Sequence, residues 1–221
     1  MTRVRDGVRD RALIDISVVV NDATPEWPGD TPWSCRWTWD IARGDSVNVS
    51  CMTGSPHVGT HADAPFHVDS RWLTAEALPL DSFAGLATVV DVTGLEGPLA
   101  LESLGLADAG VAGGRLLLRT DHGIAAGSFP DHWPWVSDEA IGQLLSRGLR
   151  LLGVDAPSVD GRDSKTLSVH RALFQGGASV LENLDLRHVA PGEYQLTAFP
   201  LKVSGLDAAP VRAVLRRIGD E

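Results

Sequence analysis

The stretch from His57 to His67 constrains the fold more than any other part of this sequence, because it places three histidines and one aspartate within eleven residues. Neutral imidazole nitrogens and carboxylate oxygens are the ligands that borderline divalent ions such as Zn²⁺ prefer. Gly59 and Pro65 argue against a long helix here and favour a tight loop or one short turn. Since the whole chain contains only seven histidines, this clustering indicates a metal site in preference to a polar surface loop.

Composition limits the classes of protein to which the chain can belong. Its 221 residues are enough for one sizeable core and few for two domains. The 43% of hydrophobic and 22% of charged residues are typical of a soluble globular protein. A formal net charge of −10 disfavours nucleic acid and anionic membranes as partners. The sequence also lacks an apolar run of the ~20 residues that a membrane span needs.

The cysteine content and the first residues bear on location. The chain has two cysteines, which are too few for a disulfide scaffold, so we expect a reducing, cytoplasmic environment. Residues 1–11 alternate arginine with aspartate and lack the apolar core of a signal peptide. We therefore expect a flexible N-terminal arm over residues 1–11 and a single domain over residues 12–221.

Period-two patterns predict strands in the first half of the chain. Residues 12–20 are rich in β-branched side chains, and residues 33–41 and 47–53 alternate as the two strands of a hairpin. We expect the three tryptophans of this hairpin to lie mostly in the core. Cys35 and Cys51 are expected to be free, buried thiols on one face of the hairpin.

The second half of the chain mixes strand and helix patterns. Helical patterns cover residues 99–109, 137–146 and 168–174, and strand patterns cover residues 87–92, 115–120, 150–154, 179–181 and 194–203. Residues 210–218 fit either a helix or a strand. The expected fold class is therefore α/β, with mostly antiparallel strands in the first half.

Ligand chemistry leaves the extent of the metal site open. His57, His61 and Asp63 could by themselves supply the three protein ligands of a catalytic zinc ion. A second ion would need ligands from further along the chain, and spacing alone does not choose among the later histidines. The candidates are His122, His132, His170 and His188.

The pattern H-x-G-T-H-x-D-x-P-x-H over residues 57–67 resembles that of the metal-dependent cyclase family of hydrolases. Further stretches resemble one branch of that family, the bacterial kynurenine formamidases, in the same order and at comparable spacing from about Leu13 to Leu215. They are EWPGDTP at 26–32, WTW at 37–39, VNVS at 47–50, GVDAPS at 153–158, SKTL at 164–167, LE at 181–182, LK at 201–202 and PVRAVL at 210–215.

The resemblance implies a site and an architecture. It implies a swivelling β/β/α fold with a largely antiparallel or mixed sheet, usually assembled as a homodimer, and it favours a strand over residues 210–215. His57, His61 and Asp63 would bind one ion, and Asp63 would also touch a second ion held by His170 and by a bridging Glu182. His67 would be the catalytic acid/base and Trp27 would contact the substrate.

The implied activity is metal-dependent hydrolysis of N-formyl-L-kynurenine to L-kynurenine and formate. The resemblance implies two divalent ions per subunit, for which Zn²⁺ is the first choice and Mn²⁺ or Co²⁺ are alternatives. Asn183 stands where the family pattern has glycine, so the substrate pocket is expected to differ. Two other functions remain open, namely hydrolysis of another aryl formamide or a cyclic amide such as isatin, and non-catalytic metal binding. Cys35 and Cys51 lie outside the histidine-rich stretch, which counts against a structural zinc site.

Overall fold

A seven-stranded mixed sheet forms the centre of the fold in the computed structural model, which describes residues 13–106 and 110–218. The predicted arm at residues 1–11 lies outside the described residues. In chain order, the strands are β1 (Ile14–Asp15), β2 (Ser34–Trp39), β3 (Val49–Thr53), β4 (His61–Asp63), β5 (Ala84–Asp91), β6 (Arg115–Arg119), β7 (Leu151–Val154), β8 (Ser179–Leu181), β9 (Gly192–Thr197), β10 (Ala208–Pro210) and β11 (Val214–Arg217).

The order of strands across the large sheet is β1-β11-β9-β5-β6-β7-β8. Strands β5 to β8 run parallel, whereas β1, β11, β9 and β5 pair antiparallel. The α/β class and the mixed sheet expected from the sequence are therefore confirmed. Strand β11 also resolves the ambiguous C-terminal segment in favour of the strand alternative.

Two α-helices occur among the described residues, α1 (Asp138–Ser146) and α2 (Ser168–Gln175). Helix α1 begins as the sequence predicts, because the Ser137 side chain accepts a hydrogen bond from the backbone N–H of Ala140 and two acids occupy the first turn. The predicted helix at residues 99–109 is a short 3₁₀ turn at Leu101–Leu104 where it is described. In the described part of the chain, no helix has the length and apolar content to cross a membrane.

Small buried residues let a two-stranded ribbon pack closely on the large sheet. Strands β4 and β10 pair antiparallel, with Ala62 opposite Ala209. Both alanines are fully buried in an apolar cluster on one face of the sheet, while α1 and α2 pack into a second apolar cluster on the other face. The result is the β/β/α layering that the family resemblance implies, and it sets β4 against the end of β8.

The hairpin of β2 and β3 departs from the prediction. Trp37 and Trp39 are 53% and 54% exposed, because no other part of the described chain covers the hairpin. Cys35 lies opposite Met52, and Cys51 lies opposite Arg36, so the two cysteines point to opposite faces. Cys35 is exposed and Cys51 is half-buried, and the predictions of buried tryptophans and of neighbouring buried thiols were therefore wrong.

Candidate metal centre

Loops and element ends bring all five predicted ligands to one edge of the sheet. His57 precedes β4, His61 and Asp63 lie on β4, His170 lies on α2 and Glu182 directly follows β8. The backbone N–H of His61 donates to Glu182 O with an N···O distance of 3.3 Å, and the N–H of Glu182 donates to His61 O at 3.0 Å. This bridge fixes the two strand ends side by side.

Gly59 allows the loop before β4 to make this approach. Its φ is +78°, in the left-handed region that favours glycine. A Cβ atom at this position would lie 2.4 Å from Cγ2 of Val20. The glycine between the first two histidines of the motif is therefore required by the backbone path and by the packing against Val20.

The first group of ligand atoms consists of Nδ1 of His57, Nε2 of His61 and Oδ1 of Asp63. The two nitrogens lie 3.1 Å apart, and Oδ1 lies 3.1 Å from His57 Nδ1 and 3.2 Å from His61 Nε2. Ligands at zinc distances of about 2.0–2.1 Å stand roughly 3.3 Å apart in a tetrahedron. The three observed separations match this spacing.

The second group shares its carboxylates with the first. Nε2 of His170 lies 2.9 Å from Asp63 Oδ2 and 3.2 Å from Glu182 Oε1. The other oxygen of Glu182, Oε2, lies 3.4 Å from Nε2 of His61. Asp63 and Glu182 thus each present one oxygen to each group, which is the arrangement needed to hold two neighbouring cations.

One oxygen in the centre shows why a cation fits there. Oδ1 of Asp63 is buried and accepts no hydrogen bond from any of the described residues. A buried carboxylate oxygen that accepts no hydrogen bond costs free energy. A divalent ion between Asp63, His57 and His61 would satisfy this oxygen, so the donor set and its geometry both suit a metal.

Each of the three imidazoles binds a fixed acceptor through its second ring nitrogen. The pairs are His61 Nδ1 with Gly59 O at 2.9 Å, His170 Nδ1 with Asp160 Oδ2 at 2.6 Å, and His57 Nε2 with Asp207 Oδ2 at 3.0 Å. Such contacts fix the tautomer and the ring orientation of metal-binding histidines. Neither aspartate was predicted from the sequence.

Asp160 also determines where α2 begins. Its carboxylate accepts hydrogen bonds from the backbone N–H groups of Val169 and His170, both at 3.1 Å. Leu167, at the usual capping position, provides no side-chain hydrogen bond. Because this acceptor comes from well upstream of the helix, the local rules for helix caps could not have revealed it.

Charge pairing within the centre shifts the pKa values of its groups. Burial lowers the pKa of both His57 and His61, but the negative charge of Asp63 beside both rings outweighs it and raises these pKa values to about 10 and about 9. Burial likewise opposes ionisation of Asp63, yet the two imidazoles hold its pKa well below the usual range. Without metal, the centre is therefore a set of compensated ion pairs.

These pKa values predict how metal binding depends on pH. At pH 7 the metal-free protein holds protons on His57 and His61 that a metal must displace, so affinity for Zn²⁺ should rise about ten- to a hundredfold per pH unit between pH 6 and 9. Chelator competition at several pH values measures this slope. An affinity that does not change with pH would contradict the assignment.

The same shifts affect stability. A histidine pKa raised above its ordinary value of 6.5 contributes stability that is complete below about pH 6.5 and is lost as pH rises through 9 to 10. Metal-free protein should therefore melt at lower temperature at pH 10 than at pH 6.5.

A cavity of about 490 Å³ opens onto the metal centre. Its lining includes His57, His61, His170 and Glu182 from the centre, together with His67. The remaining wall is largely apolar and aromatic; it includes Trp27, Phe129, Pro157 and Leu167. The structure thus brings the predicted acid/base and the predicted substrate contact to the same cavity as the predicted metal ligands.

Neighbouring aromatic rings hold Trp27 in place. Its ring meets Phe129 edge-on with centroids 5.4 Å apart and Trp133 with centroids 6.0 Å apart. Trp27 is nevertheless 40% exposed, so it both packs and presents a surface to the cavity. Trp72, a second tryptophan that is half-buried, is not among the residues that line this cavity.

Asn183 also lines the cavity, directly after Glu182. Its φ of +55° lies in the left-handed region, which explains why glycine suits this position in the family pattern and why asparagine is an acceptable replacement. The side chain is 5% exposed. The pocket therefore contains a carboxamide beside the carboxylate of Glu182.

Among the described residues, the other candidate histidines do not join the centre. His122 and His132 lie near each other, with ring centroids 5.0 Å apart, but neither they nor His188 belongs to any cluster of three potential ligands. Three such clusters occur among the described residues. The first contains His57, His61 and Asp63, the second Asp63, His170 and Glu182, and the third His57, His67 and Asp207.

Comparison with known proteins identifies the family. The Cyclase family model matches residues 14–161, more than half of the chain. This chain belongs to the cyclase family. A kynurenine formamidase of Bacillus cereus is 45% identical to it over 207 residues, which cover 93% of this chain and 97% of the relative. The family resemblance inferred from the sequence is therefore confirmed.

Solved structures of the cyclase family agree with the fold. A protein described as a potential metal-dependent hydrolase with cyclase activity is 25% identical, has a TM-score of 0.77 and covers 94% of this chain and 99% of its own. Isatin hydrolase A of Ralstonia solanacearum has a TM-score of 0.76 at 21% identity, covering 92% of this chain and 91% of its own. The second likeness concerns the fold alone.

Proposed function

We propose that this chain hydrolyses N-formyl-L-kynurenine to L-kynurenine and formate. The observation that carries the proposal is a pair of carboxylates beside a cavity with aromatic walls: Asp63 faces three imidazoles and Glu182 faces two. The relative that is 45% identical over nearly the whole chain is a kynurenine formamidase. The chain is thus a hydrolase that acts on a linear formamide C–N bond.

Two divalent ions would complete the site, with Zn²⁺ as the first choice and Mn²⁺ or Co²⁺ as alternatives. His57, His61 and Asp63 would hold one ion, and His170 with Asp63 and Glu182 would hold the other. When bound, such ions act as Lewis acids, which activate water and stabilise negative charge on a carbonyl oxygen. Asp207, Asp160 and the carbonyl of Gly59 keep the three imidazoles in ligating orientations.

The remaining cavity residues would orient the substrate and move its proton. Trp27 and Phe129 offer apolar ring surface for the aryl group. His67 lies at the same cavity with its ring centroid 4.6 Å from that of His57, within reach of a group held at the centre. It would give a proton to the aryl amine nitrogen as the C–N bond breaks.

A substrate panel tests the proposal against its alternatives. N-formyl-L-kynurenine, a simple N-formylaniline and isatin are compared by kcat/KM with the metal-loaded protein. We expect N-formyl-L-kynurenine to exceed the other two. A preference for isatin would favour cyclic-amide hydrolysis, which the fold also serves in isatin hydrolase A, and turnover of none of them would favour a non-catalytic metal-binding protein.

Replacement of Trp27 by alanine should lower kcat/KM for N-formyl-L-kynurenine by roughly tenfold, mainly through KM, because the ring supplies binding surface. Metal content should stay unchanged, since Trp27 is not a candidate ligand and its ring packs against Phe129 and Trp133. Trp72→Ala is the matched control, since Trp72 lies outside the cavity lining. An unchanged kcat/KM with a markedly lower melting temperature would show that Trp27 only packs against Phe129 and Trp133.

We further propose that residues 12–221 act as one domain in a cytoplasmic homodimer. The exposed hairpin of β2 and β3 supports the assembly, because Trp37, Trp39 and Met52 are each more than half exposed and an isolated two-stranded ribbon is marginally stable. A solution mass of twice the 23.5 kDa of one chain is expected. A mass of one chain would contradict the dimer.

A further inference from the structure

Asp207 contacts two histidines that the proposed chemistry uses in different ways. Its Oδ2 lies 3.0 Å from Nε2 of His57 and 3.4 Å from Nδ1 of His67. The two rings lie beside each other, with centroids 4.6 Å apart and planes inclined by 50°. One carboxylate oxygen therefore joins a histidine of the metal centre to the candidate acid/base.

We propose that Asp207 is a positioning residue that orients His57 for metal binding and His67 for proton transfer through this single oxygen. A carboxylate only accepts hydrogen bonds, so each imidazole donates to it from the nitrogen that faces it. Nδ1 of His57 is then left as a lone-pair donor beside Asp63, and Nε2 of His67 is left as the nitrogen that exchanges a proton. Both tautomers are set by one side chain.

The backbone holds Asp207 in a fixed place beside the centre. The N–H of Ala64 donates to Asp207 O at 2.8 Å, and the N–H of Ala75 donates to Leu206 O at 2.9 Å. The next residue, Ala208, lies opposite Asp63 in the β4–β10 ribbon. The carboxylate is thus tied to the same strand that carries two of the metal ligands.

Asp207 has no competing charged partner among the described residues. Its ion pairs are those with His57 and His67, and its side chain is 39% exposed at the rim of the centre. A carboxylate held only to support the fold would be expected to pair with backbone amides or with arginine, as Asp185 does with Arg187. The side-chain hydrogen bonds of Asp207 go instead to His57 and His67.

The first test measures metal affinity, which does not require turnover. For Asp207→Ala, competition with a chelator for Zn²⁺ should show an affinity about 10- to 100-fold weaker than wild type, the usual effect of losing the partner of a metal-binding histidine. Asp207→Asn keeps the shape of the side chain and one acceptor oxygen, so its Zn²⁺ affinity should lie between those of wild type and Asp207→Ala. This variant also keeps the test valid if the alanine variant misfolds. Wild-type affinity in both variants would overturn the role at His57.

The second test isolates the effect through His67 and rests on the proposed function for its substrate. With Zn²⁺ saturating, Asp207→Ala should lower kcat for N-formyl-L-kynurenine by about 10- to 100-fold and change KM by less than about threefold. In a His67→Ala background the same substitution should lower kcat by less than about twofold, because the group it positions is absent. An equal loss in both backgrounds would overturn the role at His67.

Glu76→Gln is the matched control. Glu76 accepts hydrogen bonds from the Ser204 hydroxyl and the Gly205 N–H at 2.9 and 3.1 Å, so it ties down the segment that carries Asp207 without contacting either histidine. Its substitution should leave Zn²⁺ affinity and kcat within about twofold of wild type. If Glu76→Gln reproduced the losses of Asp207→Ala, general loosening of the segment would explain them and the proposal would fail. If wild type does not turn over the formamide, the proposed function fails, and the affinity test still decides the role at His57.

Discussion

Replacement of Asp63 by asparagine is expected to abolish metal binding at both positions and to lower kcat for N-formyl-L-kynurenine by at least ~10⁴-fold, about 5.4 kcal/mol of transition-state stabilisation. The physical reason is that one side chain serves both groups. Its Oδ1 lies within 3.2 Å of two imidazole nitrogens, and its Oδ2 lies 2.9 Å from a third. An amide nitrogen in place of either oxygen cannot bind a cation.

Elemental analysis and steady-state kinetics on the same preparation check this expectation. Asp155→Asn is the control, because Asp155 is equally buried but accepts its hydrogen bonds from Thr120 and Asp121, outside the metal centre. That variant should lose thermal stability and keep its metal. Retention of two ions and of a tenth or more of wild-type kcat by Asp63→Asn would refute the shared-ligand assignment.

Replacement of His67 by alanine should have the second largest effect. We expect kcat to fall by roughly two to four orders of magnitude, the range for loss of a general acid/base. Metal content should stay near that of wild type, because the side chain of His67 is 30% exposed at the cavity and its ion pair is with Asp207. It belongs to neither group that contains Asp63.

His61→Ala provides the comparison that separates proton transfer from ligation. His61 is buried between Asp63 and Glu182, so its loss should remove metal and activity together. If His67→Ala lost metal as completely as His61→Ala, His67 would be a ligand. If His67→Ala kept both metal and full kcat, the proton would have to come from another group.

Short-range sequence information predicted three of the five candidate metal ligands. The spacing of His57, His61 and Asp63 along one loop and one strand identified a first group from residue chemistry alone. His170 and Glu182 could not be chosen over the other later histidines and acids in this way, and only the family resemblance selected them. The bridge between β4 and the end of β8 that makes them neighbours is a contact across more than a hundred residues.

Asp207 was not predicted because its contacts with the histidines span a long separation in sequence. Asp207 reaches His67 from 140 positions along the chain, in a stretch with no metal-ligand pattern around it. The hairpin of β2 and β3 shows a different limit of prediction from sequence. Alternation predicts which residues share a face, but it does not say whether anything covers that face, and Trp37 and Trp39 remain exposed. The pairing register of the two strands also cannot be read from alternation alone. In the observed register Cys35 lies opposite Met52 and Cys51 lies opposite Arg36, so the two cysteines are on opposite faces.

The most direct test of the account is a titration of chelated protein with Zn²⁺, with formate release from N-formyl-L-kynurenine followed at each step. We predict that chelated protein is inactive and that formate release rises with bound metal until two ions per chain are present. Full activity in the chelated protein, or no formate at any metal content, would contradict the assignment of a metal-dependent formamidase.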